Sequence, residues 1–260
     1  WLTINPNLEA SARSLQDWIR LGGDRGMAVS VVLRQRGDLS RRLQDRAVPY
    51  TVDAMHWPDR SKFLLSASHA LKLRRFLAAQ GTQVLHCYEH DIYPFAVMLR
   101  SITSLPLVCH VHFAFERAFC RWAFAGPRNL PDALIWTSHQ QQRDCEAAVA
   151  GIIPLERQYV IPLGLDPLQL EAHSGSGAEL RQRLGIAPQT VVIGTACAFR
   201  PRKQIDDFLE LIRSLTDRHA DVVGLLVGGE VPGDEAYARE VIPRIKALQS
   251  NGRFFWLGHV

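Results

Sequence analysis

The chain alternates short apolar runs with longer segments in which apolar residues recur every three or four positions. This alternation is typical of parallel βαβ units whose sheet is covered by helices on both faces. In the first part of the chain the runs predict strands at residues 2–4, 28–33, 84–88, 107–111, 133–136 and 159–161. Between them the spacing predicts a helix over residues 8–21, ended by Gly22 and Gly23, and a long helix capped by Ser61 that reaches Gln80.

The second part of the chain repeats the pattern on a smaller scale. It predicts strands at residues 191–196, 222–227 and 254–257, with helices over residues 204–218 and 234–249. The continuous β-branched run at residues 191–193 predicts a strand covered on both faces. A turn at 162–164 and a Ser/Gly stretch at 173–177 are typical of a linker, so we predict domains at residues 1–161 and 162–260. Three strands make half of a doubly wound sheet, which indicates that the second domain is incomplete.

Composition narrows the class of partner. The chain has 260 residues, 47% hydrophobic and 22% charged, with a net charge of +4. This excess of positive charge favours anionic partners such as sugar nucleotides or an acidic bilayer surface, and it is too small to predict a nucleic-acid binder. Five scattered cysteines without CxxC spacing indicate small buried side chains in a reducing cytosol. No secretion signal or membrane-spanning run is predicted.

The segment 191–211 carries the strongest chemical signal. An apolar strand leads into a turn with Arg200, Arg202 and Lys203, and an amphipathic helix follows. Cationic side chains beside the free amides of a helix N-terminus attract a diphosphate. Gly194 keeps the strand slim, so that a ligand could approach its backbone closely. On these residues alone, a solvated basic loop is the competing interpretation.

Six short segments together resemble one enzyme family. They are VLHCYEHD (84–91), LVCHVH (107–112), LIWTS (134–138), VIPLGLDP (160–167), LLVGGE (225–230) and FWLGHV (255–260). Their order and spacing resemble family 4 of the glycosyltransferases, a retaining group with the GT-B fold. The resemblance covers nearly the whole chain.

The resemblance implies an α/β protein with two doubly wound, Rossmann-type domains facing a cleft. It implies a retaining glycosyltransferase that moves a hexose-type sugar from a UDP- or GDP-sugar to a glycan or lipid-linked acceptor, without a metal or other cofactor. It also implies a cytoplasmic location, at the inner face of the membrane if the acceptor is lipid-linked. In the family a segment with two glutamates, E-x7-E, follows the position of Val260, so we expect further chain there.

Site residues follow from the family motifs. The resemblance implies catalytic roles for His112, Arg200 and Lys203, since positive charge must stabilise the departing diphosphate. It assigns donor binding to Gly194, Gly228, Gly258, His259 and Val260, together with Arg200 and Lys203. It assigns acceptor binding to Asn7, Glu9, Tyr88 and Glu89. His86, Glu89, His90 and Asp91 cluster at one strand end, where they could form a metal site. We predict that they form a solvated loop and do not bind a metal.

Three departures from the family pattern keep other functions open. Ala198 stands where the family has an arginine, Gln204 replaces a glycine, and residues 5–11 lack the glycines of the acceptor loop. A sugar-nucleotide epimerase of the same fold and a scaffold protein that binds nucleotide sugars without turnover are therefore alternatives. The aromatic segment 113–124 predicts a partly buried helix, or alternatively a patch that docks on anionic lipid.

Overall fold

Two units divide the chain, Trp1–Asp166 and Pro167–Val260, where the sequence predicted a boundary after residue 161. The computed structural model describes residues 1–3, 11–164, 167–172 and 176–259. Asn7, Glu9 and Val260, which the sequence assigned to the acceptor and donor sites, lie outside the described residues.

The first unit is built on seven parallel strands in the order β3-β2-β1-β4-β5-β6-β7. The strands are β1 (Leu2–Thr3), β2 (Val31–Leu33), β3 (Tyr50–Val52), β4 (Leu85–Cys87), β5 (Leu107–Val111), β6 (Ala133–Trp136) and β7 (Gln158–Val160). The helices are α1 (Ser11–Gly23), α2 (Asp38–Asp45), α3 (Phe63–Ala79), α4 (Tyr93–Thr103), α5 (Arg117–Ala123) and α6 (His139–Val149). The α/β class predicted from the alternating pattern is therefore confirmed.

Alternate residues of β2 show how this sheet is covered. Val31 and Leu33 pack with Leu15 of α1 and with Leu39 of α2. Val32, between them, belongs to the larger core that α3 to α6 form on the opposite face. Because successive side chains of a strand point to opposite faces, a run of three apolar residues is what a strand buried on both sides requires.

The second unit contains three parallel strands in the order β10-β9-β8. They are β8 (Val191–Ala196), β9 (Val222–Val227) and β10 (Phe254–Trp256), and the helices are α7 (Pro167–Ala172), α8 (Ser176–Leu184), α9 (Ile205–Arg218) and α10 (Glu235–Gln249). A core formed by Ile212, Leu226, Val241 and Phe254, among others, joins α9 and α10 to the sheet.

Four local expectations were wrong. The loop that follows β4 is not solvated, because Glu89 and His90 are both buried. Strand β8 lies at the edge of its sheet, and Val191 is 49% exposed, so the strand is not covered on both faces. Ser61 does not cap α3; instead Asp59 Oδ1 accepts hydrogen bonds from the backbone amides of Ser61 and Lys62. Four cysteines are buried as predicted, but Cys197 is only half-buried because it lies in the loop after β8.

Candidate functional site

The donor-site prediction falls on the loops that follow the three strands of the second unit. Cys197 N donates to Val227 O at 2.9 Å, and Phe199 N donates to Gly229 O at 2.8 Å. Gly228 N donates to Gly258 O at 2.7 Å. These bonds hold the three loops side by side at the carboxyl edge of the sheet, where parallel α/β sheets bind their ligands.

The close approach of these loops requires glycine at residue 228. Its φ is +116°, and a Cβ there would lie 1.9 Å from the carbonyl oxygen of Cys197. At Gly229 a Cβ would lie 2.9 Å from Nε2 of His259, which itself is 3.1 Å from the carbonyl oxygen of Glu230. The structure thus brings together three predicted donor residues, Gly228, Gly258 and His259.

The two predicted cations stand on the first of these loops. A 3-10 turn spans Pro201–Lys203, and Lys203 N donates to Arg200 O at 2.9 Å. The Lys203 side chain is exposed, and among the described residues it makes no ion pair. Arg200 Nε lies 3.4 Å from Oδ2 of Asp234, the residue that precedes α10. Phe199, just before the turn, is fully buried and stacks on Trp256 at 5.7 Å between ring centroids. Lys203 is therefore exposed and Arg200 is half-buried, on a loop whose base is anchored in the core.

Gln204 connects this turn to α9 with φ +50° and ψ +47°, the left-handed conformation that favours glycine. The family glycine at this position is explained by that conformation. The glutamine here adopts that left-handed conformation itself.

Gly194 lies elsewhere in the second unit. It is inside β8, and a Cβ at this residue would lie 3.3 Å from the carbonyl oxygen of Leu225 on the neighbouring strand. The structure places it before the end of the strand and not in the loops. Its donor role stays a prediction.

In the first unit, His112 follows directly after β5 and is surrounded by other aromatic rings. The ring centroid of His112 is 4.5 Å from that of His110 and 4.6 Å from that of Tyr88. His112 Nε2 is buried and has no hydrogen-bond partner among the described residues. Burial, and secondarily the charge of His90, lower the pKa of His112 to about 4. The imidazole is therefore neutral at pH 7 and can exchange a hydrogen bond with an uncharged group such as a sugar hydroxyl.

Tyr88 and Glu89, the predicted acceptor residues at the end of β4, are both buried. Glu89 Oε1 accepts a hydrogen bond from Thr3 Oγ1 at 2.9 Å, and burial raises the pKa of Tyr88. The structure brings Tyr88 and Glu89 to the same carboxyl edge as His112. Their acceptor roles stay predictions.

Several residues near these sites were missed in the sequence analysis. His110, which points to the same face of β5 as His112, is 1% exposed, and neither ring nitrogen has a partner among the described residues. The alternation His110-Val111-His112 is the signal that could have found it. We call residues 197–204, which connect β8 to α9, the cation loop. Asp234 contacts Arg200 of this loop and Tyr237 contacts Ile205 just after it, across more than thirty residues of sequence, so no local pattern indicates them.

A cleft of about 1120 Å³ in the first unit is lined by none of the described residues that are predicted to bind donor or acceptor. Its lining includes Trp18, Met27, Pro49 and Gln83, which place it at the amino ends of the strands. Because parallel sheets bind ligands at the opposite edge, the cleft is not assigned to the predicted reaction.

Metal-binding clusters and membrane-spanning helices are both absent from the described residues. No group of three or more His, Cys, Asp or Glu side chains is arranged there to hold a metal ion. None of the helices in the described ranges combines the length and the apolar character that crossing a bilayer requires.

Comparison with known proteins gave one family and several similar folds. The profile described as "Glycosyltransferase Family 4" matches residues 11–168, more than half of the chain. Curated protein sequences gave no match. Among solved structures, HepE from Anabaena in complex with UDP is similar over 100% of this chain and 68% of its own, with a TM-score of 0.77 and 22% identity.

A glycosyltransferase from Rickettsia africae has a TM-score of 0.73 at 13% identity, and the coverage is again 100% and 68%. A UDP-forming trehalose-phosphate synthase from Burkholderia vietnamiensis has a TM-score of 0.61 at 15% identity, with 98% of this chain and 71% of its own covered. These similarities confirm the predicted GT-B fold, with a second Rossmann-type domain that is partial.

Proposed function

The chain belongs to glycosyltransferase family 4, and from that premise we propose that it transfers a hexose-type sugar from a UDP-sugar to a glycan or lipid-linked acceptor. The transfer releases UDP and retains the anomeric configuration. UDP is preferred over GDP because the similar Anabaena HepE is described in complex with UDP and with UDP-glucose. No metal or other cofactor enters this proposal.

The observation that carries the proposal is the cation loop after β8. Arg200 and Lys203 stand one turn apart, beside the Gly228 and Gly258 backbones, at the carboxyl edge of the second sheet. When the bond between the anomeric carbon and the diphosphate breaks, negative charge grows on the leaving phosphate. Cations fixed beside that phosphate stabilise this charge more in the transition state than in the bound donor, which lowers the barrier.

His112 would act on the sugar and not on the phosphate. Its neutral imidazole has a buried Nε2 without a partner among the described residues, as noted above, and a sugar hydroxyl could supply the missing hydrogen bond. Because its pKa is about 4, this group stays uncharged over the physiological range. We therefore assign His112 to orientation of the donor sugar.

The central test combines binding and turnover. Calorimetry should detect UDP binding, and incubation with UDP-sugars and candidate acceptors should release UDP. Replacing Lys203 by alanine should reduce kcat by about 10²–10³-fold, as expected for the loss of one group that stabilises the transition state. Lys246→Ala, on an exposed lysine of α10, is the matched control and should leave kcat unchanged.

The alternatives give different outcomes in the same experiments. An epimer of the donor formed without acceptor would favour the epimerase. UDP binding with no turnover for any acceptor would favour the scaffold protein. A product whose anomeric configuration is inverted, measured by NMR coupling constants, would contradict retention. A wild-type protein that binds no nucleotide would refute the proposal as a whole.

We also propose a peripheral contact with an anionic membrane through one surface of the first unit. We define the aromatic–basic surface by four apolar and three cationic side chains: Trp57, Phe63, Leu64, Trp122, Arg60, Lys62 and Arg121. Leu64 is 83% exposed and Trp122 is 44% exposed. Exposed aromatic and aliphatic groups next to cations suit the headgroup layer of a bilayer with acidic lipids.

Contacts within the first unit show that this surface is continuous. The rings of Trp57 and Trp122 are 5.1 Å apart between centroids. The Ser66 hydroxyl of α3 donates to the carbonyl oxygens of His56 and Trp57, at 3.0 and 3.3 Å. These bonds join the start of α3 to the loop that carries Trp57. Helix α3 itself contains no acidic residue, so nothing on it opposes an acidic bilayer.

Vesicle sedimentation tests the membrane proposal. The protein should bind vesicles that contain phosphatidylglycerol and should bind pure phosphatidylcholine weakly. Leu64→Ser should reduce binding by about 10-fold or more, because a buried aliphatic side chain contributes about 1.5–3 kcal/mol. Leu155→Ser replaces a similarly exposed leucine outside the surface and is the control. Equal binding to both vesicle types, or equal effects of the two variants, would refute the assignment.

A further inference from the structure

The first turn of α10 contacts the chain on both sides of Lys203, within the cation loop and just after it. On one side, Asp234 Oδ2 lies 3.4 Å from Arg200 Nε. Asp234 stands at the N-cap of α10, but its side chain makes no capping hydrogen bond, so its carboxylate is available to Arg200. On the other side, the Tyr237 hydroxyl accepts a hydrogen bond from Ile205 N at 3.2 Å. The residues between these two contacts include Lys203.

Tyr237 also fixes the helix that follows the loop. Its hydroxyl donates to Asp206 Oδ2 at 2.9 Å, and Arg244, two turns further along α10, donates to the other oxygen of the same carboxylate. Ile205 N is one of the first amides of α9, which have no partner within their own helix. One hydroxyl therefore satisfies a helix amide and a carboxylate together, and it ties the start of α9 to α10.

The pairing of Arg200 leaves part of its guanidinium available. Only Nε lies within ion-pair distance of Asp234. Arginine has five N–H donors in a rigid plane, and the two terminal nitrogens remain to meet a diphosphate. An arginine held by one edge loses less side-chain freedom when it binds an anion than one that is free in solvent.

We infer that Asp234 and Tyr237 are positioning residues for the donor diphosphate: they hold Arg200 and the backbone of Lys203 in the geometry that binds the two phosphates. This inference rests on the proposed function of the cation loop and adds to it the groups that orient the cations. Neither residue contacts the donor itself. Their effect should therefore appear in affinity for phosphate and not in affinity for the nucleoside.

The test compares UDP with uridine. Tyr237→Phe removes one oxygen and keeps the ring, so the fold should survive. Calorimetry should show UDP binding weakened about 3- to 10-fold, the range expected for lost hydrogen bonds of this kind, while uridine binding changes less than about twofold. Tyr159→Phe is the matched control, since Tyr159 is half exposed in β7 and makes no side-chain hydrogen bond among the described residues.

Two variants of Asp234 distinguish its support of the Arg200 side chain from the effect of its negative charge. Asp234→Ala should weaken UDP binding to a similar degree, because Arg200 loses its support. Asp234→Asn keeps an acceptor oxygen for Nε and removes a negative charge near the phosphates, so it should bind UDP at least as tightly as the wild type. A merely structural role would lower UDP and uridine binding together in each variant. That result, or unchanged UDP binding in Tyr237→Phe and Asp234→Ala, would overturn the inference.

Hydrogen exchange of the unliganded protein keeps this test independent of the proposed function. The amide of Ile205 should exchange faster in Tyr237→Phe than in the wild type, because its acceptor is gone. If the wild type binds no UDP, the proposed function fails, and the exchange rate still decides whether Tyr237 holds the loop. An Ile205 amide that exchanges equally fast in both proteins would refute the tether itself.

Discussion

Replacing Gln204 by glycine should stabilise the protein. Gln204 adopts φ +50° and ψ +47°, and it is the residue that turns the chain from the Pro201–Lys203 turn into α9. A residue with a Cβ is destabilised by about 1–2 kcal/mol in this left-handed region, whereas glycine adopts it with almost no energetic penalty. Glycine also increases the conformational entropy of the unfolded chain. This lowers the free energy of unfolding by about 0.5–1 kcal/mol. The balance predicts that Gln204→Gly raises the free energy of unfolding by about 0.5–1 kcal/mol.

The magnitude depends on backbone conformation alone, since the Gln204 side chain makes no capping hydrogen bond. Its backbone bonds remain in the variant: Gln204 N donates to Pro201 O at 3.0 Å, and Phe208 N donates to Gln204 O at 3.2 Å. Gln204→Val should have the opposite effect, because β-branched residues are strongly disfavoured at positive φ. Urea titration followed by circular dichroism measures both changes.

Gln80→Gly is the matched control. Gln80 is exposed and follows the last residue of α3 with φ −89°, where glycine has no conformational advantage. The same chemical change there should lower the free energy of unfolding by about 0.5–1 kcal/mol. If Gln204→Gly destabilises the protein as much as Gln80→Gly does, the left-handed conformation of residue 204 is not strained and the reasoning fails.

Three further predictions follow from the described geometry. Gly228→Ala should cost at least about 2 kcal/mol of unfolding free energy and abolish UDP binding, because its Cβ would lie 1.9 Å from a backbone oxygen; Gly229→Ala, which meets only the flexible His259 side chain, should cost less in urea titration. Burial, and secondarily His112, lower the pKa of His110 to about 3 from 6.5, so between those values the unfolded chain binds the proton that the folded protein excludes. The free energy of unfolding should therefore fall as pH is lowered from 6.5, by up to about 1.4 kcal/mol per pH unit for this group, and His110→Phe should show a shallower decline in urea titrations at pH 4–7; an equal decline would contradict the assignment. Burial raises the pKa of Cys120 to about 12, so an alkylating reagent at pH 8 should leave it unmodified in the native protein and should modify only the half-buried Cys197 at an appreciable rate, as mass spectrometry of the peptides would show.

Strands were predictable where a local run of apolar residues is enough to define them. The bounds of β5, β6, β8 and β9 agree with the sequence prediction residue for residue. Strand β3 was missed because Tyr50–Val52 is only three residues long and none of them is fully buried. The exposure of β8 was also missed, since the position of a strand within its sheet depends on which strands pair with it and not on its own residues.

The candidate site also has a part that the sequence predicts and a part that it does not. The cations Arg200 and Lys203 and the paired glycines follow strands directly, so a strand prediction is enough to bring them to one edge of the sheet. The contacts that orient them, from Asp234 and Tyr237, depend on how α10 packs against α9. Tertiary packing of that kind leaves no periodic signal in the sequence, and only the folded unit shows it.

Two departures from the family turn lie on the loop after β8, at Ala198 and Gln204. Gln204 adopts the left-handed conformation that favours glycine, the family's residue at this position. Ala198 lacks the family's guanidinium, but Arg200 is on the same loop and is held by Asp234 through Nε, with its terminal nitrogens free of other ion pairs among the described residues. The loop thus keeps two cations on a path anchored by Phe199 and Tyr237. Both an active transferase and a scaffold that binds nucleotide sugars need cations that bind a diphosphate. Turnover with UDP-sugars and acceptors is therefore the measurement that separates the two.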